Sequence, residues 1–211
     1  MICPICNKHK AKRLCPARAE SICTTCCGTE REVTIDCPSD CLYLVESREH
    51  DNTRREFDWS KLPFADTRIP MKFAQEHGPL ILALDYGICT YASGDRSVVD
   101  EDVLAALQAL GESYRTLTSG IYYEQAPAHA RQRGVYDAMK GAIDDFRKEE
   151  AKRAVVTTTH DSDIRDALIF LCQLGATRTN GRPLGRAYLD LLRAQFPEQE
   201  FQKPASNIVL L

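Results

Sequence analysis

The sequence has no long apolar run, and this absence limits where the protein can reside. The longest candidate, residues 79–84, is followed at once by Asp85, whereas a transmembrane helix needs about 20 consecutive, mostly apolar residues. Residues 1–6 also lack the basic start and apolar stretch of a secretory signal. We therefore expect no membrane span and a cytoplasmic location.

The common local signatures of enzymes are absent as well. The chain has no glycine-rich phosphate loop, no G-x-S-x-G nucleophile turn and no H-E-x-x-H motif. The formal net charge of −3 argues against a general polyanion binder, which needs a large positive surface. These absences favour a binding protein over an enzyme, and we predict no catalytic residue.

Cysteine is abundant but confined to one end of the chain. Eight of the ten cysteines lie in the first 41 residues, and only Cys89 and Cys172 follow. In a reducing compartment a dense group of thiols binds metal more readily than it forms disulfides. A disulfide framework, the alternative, would spread its cysteines over the whole domain. The distribution therefore favours a metal site.

The spacing of these cysteines is typical of zinc sites. Zinc takes four tetrahedral ligands, and two cysteines separated by two residues can reach one ion from a tight turn. Cys3 and Cys6 form one such pair, Cys23 and Cys26 another, and a third pair is separated by three residues. Eight thiolates can fill two closed, structural sites. We therefore predict two zinc ions, with these ligands: Cys3, Cys6, Cys15, Cys23, Cys26, Cys27, Cys37 and Cys41.

The cysteine spacing resembles the cross-brace zinc fingers of the MYND and HIT classes and, more loosely, the B-box, over residues 3–41 only. The resemblance implies that alternate ligand pairs share an ion, and it implies protein partners. The chain departs from those families at Arg18, which stands where they have a ligand, and in a last pair without histidine. Residues 26–31 together with residues 37–44 also resemble stretches of bacterial proteins without an assigned function, and this resemblance brings no function with it.

Under this arrangement Cys26 or Cys27 supplies the missing ligand. We assign the first ion to a first cysteine group, Cys3, Cys6, Cys23 and Cys26. We assign the second ion to a second cysteine group, Cys15, Cys27, Cys37 and Cys41. Exchange of Cys26 with Cys27 is an alternative, and His9 and His50 are reserve ligands. An iron–sulfur cluster is the rival to zinc, although the ferredoxin spacing C-x2-C-x2-C-x3-C is absent.

Composition divides the chain into three parts. Residues 1–46 are rich in cysteine and have few large apolar side chains, so bound metal must replace a hydrophobic core. We call residues 1–46 the finger. Residues 47–63 are highly charged and form a joint, in which Phe57 and Trp59 are available to dock the finger onto the second domain. Residues 64–211 form the second domain.

The second domain has the apolar period of helices. Apolar residues recur at steps of three and four in these segments: 80–91, 103–117, 135–146, 164–172 and 188–196. Strand signals are weak and limited to residues 155–159 and 208–211. We predict a mainly α protein, in which the small two-zinc finger precedes a bundle of four to six helices with the tail docked on it.

Charged clusters in both parts have structural and functional interpretations. Residues 160–163 are explained as a helix cap. Four arginines after residue 177 form either a small anion patch or an ordinary turn and exposed helix: Arg178, Arg182, Arg186 and Arg193. Residues 1–31 carry six basic and two acidic side chains, which is either a solvated surface or a nucleic-acid footprint.

We therefore expect a cytoplasmic zinc-binding adaptor whose finger and bundle present surfaces to a protein partner. A nucleic-acid-binding regulator that uses the basic residues from Lys8 to Arg18 is the alternative. A redox sensor, based on the adjacent Cys26 and Cys27, or an enzyme without local motifs is the third hypothesis.

Overall fold

The computed structural model describes residues 1–54, 58–120, 123–153, 159–197 and 200–201. The predicted strand signal at 155–159 falls almost entirely outside these ranges, and so does the apolar tail at 208–211. Among the described helices, none combines the length and the apolar character that crossing a membrane requires.

The cysteine-rich part contains a short two-stranded ribbon and two helices. Its elements are β1 Arg13–Cys15, β2 Glu20–Ile22, α1 Thr24–Glu30 and α2 Leu42–Arg54. The strands are antiparallel, with Arg13 opposite Ile22 and Cys15 opposite Glu20. This ribbon was not predicted, because three-residue strands are too short to show an alternating pattern.

The remainder is helical, as predicted. After a single 3-10 turn at Trp59–Lys61 come α3 Met71–Glu76, α4 Gly78–Gly94, α5 Asp100–Thr118, α6 Ala130–Arg153, α7 Asp161–Arg178 and α8 Ala187–Arg193. Six helices thus follow residue 64 in the described part of the chain, within the expected four to six. The predicted limits at residues 46 and 63 stay a prediction, and α2 continues across the first of them.

Local sequence accounts for the helix starts. At α5 the Asp102 carboxylate accepts a hydrogen bond from the backbone N–H of Val99 at 3.2 Å, and at α7 the Asp163 carboxylate accepts one from the N–H of His160 at 2.8 Å. Both satisfy a donor at a helix N-terminus and place negative charge at the positive end of the dipole. The cluster at 160–163 is therefore a helix cap, as expected.

The bundle is built from two packed helix pairs and the short helix α8, which contacts both pairs. α5 packs against α7 and α4 against α6, while α8 contacts α4, α5 and α7. Gly175 of α7 allows the last of these contacts, because an added Cβ there would lie 2.6 Å from the ring of Tyr188. The predicted apolar stripes form the core, including Leu84, Leu107 and Met139.

The finger has a separate, much smaller core. Its buried members are Cys3, Cys15, Ile22, Cys23, Cys26 and Ile35. Four of these six side chains are cysteines, so little purely hydrocarbon surface is buried. A core of this size needs an additional stabilising element such as a metal ion.

Candidate metal centre

The first cysteine group converges on one point. The Sγ atoms of Cys3, Cys6, Cys23 and Cys26 all lie within 4.8 Å of one another, and those of Cys6 and Cys23 are 3.9 Å apart. A zinc ion with Zn–S bonds of about 2.3 Å separates its tetrahedral sulfurs by about 3.8 Å. This geometry can hold one metal ion.

A tight backbone turn orients the first half of this group, Cys3 and Cys6. The N–H of Cys3 donates to the carbonyl of His9 and the N–H of Asn7 donates to the carbonyl of Cys3, and Asn7 takes a φ of 52°. This tight turn aims Cys3 and Cys6 at the same point. An Asn tolerates the left-handed conformation better than most residues do, which suits it to this position.

The other half of the group lies at the start of α1. Cys23 is the N-cap residue, and its Sγ accepts a hydrogen bond from the backbone N–H of Cys26 at 3.3 Å. The Cys23 sulfur thereby satisfies one of the backbone donors at the start of the helix. A Cys-x2-Cys pair therefore presents both thiolates on the first turn of a helix.

The pKa values of the cysteines in this group are shifted in opposite directions. Backbone N–H groups of His9 and Lys8 lower the pKa of Cys6 to about 5. Burial raises the pKa of Cys26, and the neighbouring thiols of Cys23, Cys6 and Cys3 raise it further. Cys6 thus ionises easily, whereas the closeness of the other sulfurs opposes ionisation of all four. A divalent cation relieves that repulsion, so the residues fit a zinc ion.

The second cysteine group gathers more loosely around a small cavity of about 10 Å³. The cavity is lined by all four of its members: Cys15, Cys27, Cys37 and Cys41. Burial raises the pKa of Cys37, and charge on Cys41 and Cys15 contributes to the increase. Among the described residues, only the first group brings its sulfurs within 4.8 Å of one another.

Arginines accompany the sulfur of Cys27. Arg13 Nη1 lies 3.5 Å from Cys27 Sγ, and Arg31 Nη2 lies 3.8 Å from it. The Arg13 guanidinium also stacks over the ring of Tyr43, at 4.6 Å from the ring centroid. Two guanidinium groups therefore lie within hydrogen-bonding distance of this sulfur.

The structure places the two adjacent cysteines in different groups. Cys26 lies with the first group and Cys27 with the second, which is the assignment favoured from the sequence over the exchanged one. All ten cysteines are free thiols. Cys89 and Cys172 lie in the bundle core, and burial raises the pKa of each to about 12.

The two reserve ligands, and Arg18, which stands where the resembled families have a ligand, lie in different surroundings. His9 Nδ1 lies 3.6 Å from Cys6 Sγ, beside the first group, whereas His50 is exposed and lies near Asp51. Arg18 pairs with Glu20 on the surface. Arg18 thus occupies the expected ligand position in the sequence but does not lie among the cysteines that line the cavity of the second group.

The contact between finger and bundle is the feature that sequence reasoning missed. Glu32 is 1% exposed; its carboxylate accepts hydrogen bonds from Arg48 at 2.7 Å and from Asn180 at 2.6 Å. The other side of the Arg48 guanidinium donates to Asp190 at 2.7 Å. Arg182 donates to main-chain carbonyls of the finger. We call these five residues the finger–bundle junction.

The junction corrects one expectation and bears on an alternative that the sequence left open. Trp59 is 69% exposed and so does not dock the finger, while Phe57 lies outside the described residues. Of the four arginines in the suggested anion patch, Arg182 and Arg186 are used internally, Arg186 through Asp36 and the carbonyl of Val98. The only sequence feature that could have indicated this contact was the density of arginines around the turn at Asn180.

The chain was also compared with models of known protein families, with curated proteins and with solved structures, and it matches none of them. The resemblance to MYND and HIT fingers therefore rests on cysteine spacing alone. What the structure supports for this chain is a metal-binding cysteine group, Cys3, Cys6, Cys23 and Cys26, in a finger that precedes a helical bundle.

Proposed function

We propose that this is a cytoplasmic, non-enzymatic adaptor in which a finger holding two zinc ions, joined to a helical bundle, presents binding surfaces to a protein partner. The first cysteine group holds one ion and the second cysteine group the other. The zinc ions stabilise the finger and take no part in chemical conversion.

The closed character of the first cysteine group carries this proposal. All four candidate ligands are cysteines, and Cys3, Cys23 and Cys26 are buried. A catalytic zinc keeps a position for water or substrate and commonly uses His, Glu or Asp, whereas four thiolates are typical of a structural ion. The absence of ferredoxin spacing favours zinc over an iron–sulfur cluster.

Exposed apolar side chains support the binding role. Ile2, Leu14 and Leu42 in the finger are 64–65% exposed, although this part of the chain has few large apolar residues. Leu14 and Leu42 are the sequence neighbours of Arg13 and Tyr43, which stack on each other. Apolar surface presented by a rigid, metal-held scaffold suits contact with a protein.

Metal analysis of the reduced, full-length protein tests the metal assignment. We expect about two zinc ions per chain, one for each group of four thiolates. About one zinc would contradict the second site. Iron as the bound metal, or a metal-free protein with disulfides, would contradict the assignment altogether.

The partner is tested by affinity capture from a bacterial lysate, followed by binding measurements with the purified candidate. The variant Leu14→Asp combined with Leu42→Asp should lose the partner while keeping its zinc, because both side chains are exposed and neither is a ligand. A matched control is Lys152→Asp on the solvated face of α6. Equal binding by all three proteins would contradict a finger-based contact.

Nucleic-acid binding is the second candidate, and exposed lysines favour it. Lys8, Lys10 and Lys12 are exposed and form no ion pair within the described part of the chain. The arginines of the same region are engaged instead, Arg18 with Glu20 and Arg31 with Cys27. The cationic surface available to phosphates is therefore smaller than the composition indicates.

Titration with RNA and DNA at several salt concentrations separates the two candidates. If three lysines contact phosphates, the logarithm of the affinity should fall with that of the salt concentration with a slope of about −3. Replacing the three lysines with alanine should remove that slope. Binding that is absent, or that does not respond to salt and to these substitutions, eliminates the second candidate.

A further inference from the structure

We propose that Arg182, a residue of the bundle, is a positioning residue for both cysteine groups of the finger. It acts through α1, the short helix that carries one cysteine of each group. The inference rests on the metal binding proposed above and adds to it a dependence of metal affinity on a side chain more than 140 residues away in the sequence.

The geometry places the two kinds of anchor at opposite ends of one helix. The candidate ligand Cys23 caps the start of α1, and Cys26 and Cys27 lie within the helix. At the other end, Arg182 Nη1 donates to the carbonyl of Gly28 at 3.0 Å and to that of Arg31 at 2.5 Å. The last carbonyls of a helix lack partners within it, so Arg182 supplies one.

α1 needs such support because it is too short to be stable alone. It spans seven residues and has no basic side chain of its own in the last turn, whereas isolated helices below about 12–15 residues are marginal in water. A cation at the carbonyl end also interacts favourably with the helix dipole. Arg182 therefore provides from the bundle the charge that the helix lacks.

Further contacts fix Glu32, which lies two residues beyond the end of the helix. Glu32 has a φ of 52°, its carbonyl accepts a hydrogen bond from the N–H of Leu184 at 2.9 Å, and its carboxylate accepts one from Asn180 at 2.6 Å. Asn180 Oδ1 in turn accepts the N–H of Arg182 at 3.0 Å. The turn at 180–184 thus holds the end of α1 by both its side chains and its backbone.

Coupling between metal and junction follows from this arrangement. If the turn at 180–184 holds α1 in the orientation that brings Cys26 and Cys27 to their groups, it favours the metal-bound state. By linkage, bound metal must then stabilise the turn by the same factor. Residues that orient metal ligands from outside the ligand shell typically contribute 10- to 100-fold to metal affinity.

Zinc competition with a chelator, on the reduced full-length chain, measures this contribution. Arg182→Ala should weaken zinc binding about 10- to 100-fold, and Arg182→Lys should restore part of the loss, because an ammonium can still donate to the carbonyl of Gly28. Arg178→Ala is the matched control: Arg178 ends α7 and makes no hydrogen bond to the finger within the described residues. Its zinc affinity should equal that of the wild type.

A second measurement keeps the proposal open to refutation if Arg182→Ala disturbs folding. The amide of Leu184, which donates to Glu32, reports on the junction by hydrogen exchange in the wild type. Removing zinc should speed exchange at Leu184 at least tenfold while amides in the middle of α5 stay protected. Unchanged exchange at Leu184 would overturn the coupling.

The two proposals fail in different ways. A wild-type protein that binds no metal contradicts the proposed function. A wild type that binds zinc, together with an Arg182→Ala variant of equal affinity, leaves the metal site in place and overturns the role of Arg182. A Co²⁺-loaded sample gives a separate signature: its thiolate charge-transfer band should weaken in Arg182→Ala and stay unchanged in Arg178→Ala.

Discussion

Gln195 Nε2 donates a 2.9 Å hydrogen bond to Asp85 Oδ2, while Asp85 Oδ1 is buried without a hydrogen-bond partner among the described residues. Burial raises the pKa of Asp85 to about 7, although the bond from Gln195 lowers it. A carboxyl in this position is more easily held in its neutral form. The bundle core therefore contains one polar group that folding leaves incompletely satisfied.

The first prediction concerns this carboxyl. Its pKa is higher in the folded than in the unfolded chain, so the folded state binds more protons, and the contribution of Asp85 to stability decreases as the pH rises from about 4 to 7. Asp85→Asn should remove this slope and stabilise the protein above pH 7, by at most about 4 kcal/mol. Denaturant unfolding of both proteins between pH 4 and 8 measures the difference, in which effects of metal release at low pH cancel. Parallel stability profiles would contradict it.

The second prediction separates the two cysteine groups. Cys3→Ser should leave about one zinc per chain, because it removes a ligand of the first group only. Cys27→Ser should leave the other ion, held by the first group. Cys172→Ser, in the bundle core, should retain about two and serves as the control. Loss of both ions on either finger substitution would show that the two groups form a single unit.

The third prediction concerns chelation of the whole protein. The finger core is separate from the bundle core, so removing zinc should unfold residues 1–46 while most of the helical circular dichroism signal is retained. Proteolysis should then cut near the finger and spare α4 to α7. A cooperative loss of the entire helical signal would show instead that the finger is part of one folding unit.

The fourth prediction uses two glycines in helices. Gly175→Ala should destabilise the bundle by about 1–3 kcal/mol, because the new Cβ would lie 2.6 Å from the ring of Tyr188 and 2.7 Å from Leu104. Gly141→Ala in α6 meets nothing within 4 Å and should stabilise it by up to about 1 kcal/mol. Thermal unfolding gives both values. Equal effects at the two positions would mean that α7 and α8 are not in close contact.

Much of the helical fold could be read from the sequence, since its periodic apolar residues form the observed core. Val103, Leu107 and Leu110 of α5 are all fully buried or nearly so. The ends of the helices were harder to predict. The apolar residues at 135–146 lie within a helix that runs to Arg153. The last two turns of this helix were missed because they are solvated and carry no apolar period. The ribbon of β1 and β2 was not predicted, since its strands of three residues are too short to show an alternating pattern.

Cysteine spacing, by itself, predicted a metal-binding finger, because cysteines at short fixed intervals can reach one ion from a tight turn. The sequence could not decide between Cys26 and Cys27, which are neighbours in the chain but emerge from α1 in different directions. Only the tertiary structure showed that Cys26 completes the first group and that Arg182 lies at the end of the same helix. Such contacts join residues far apart in the sequence, and no local pattern encodes them.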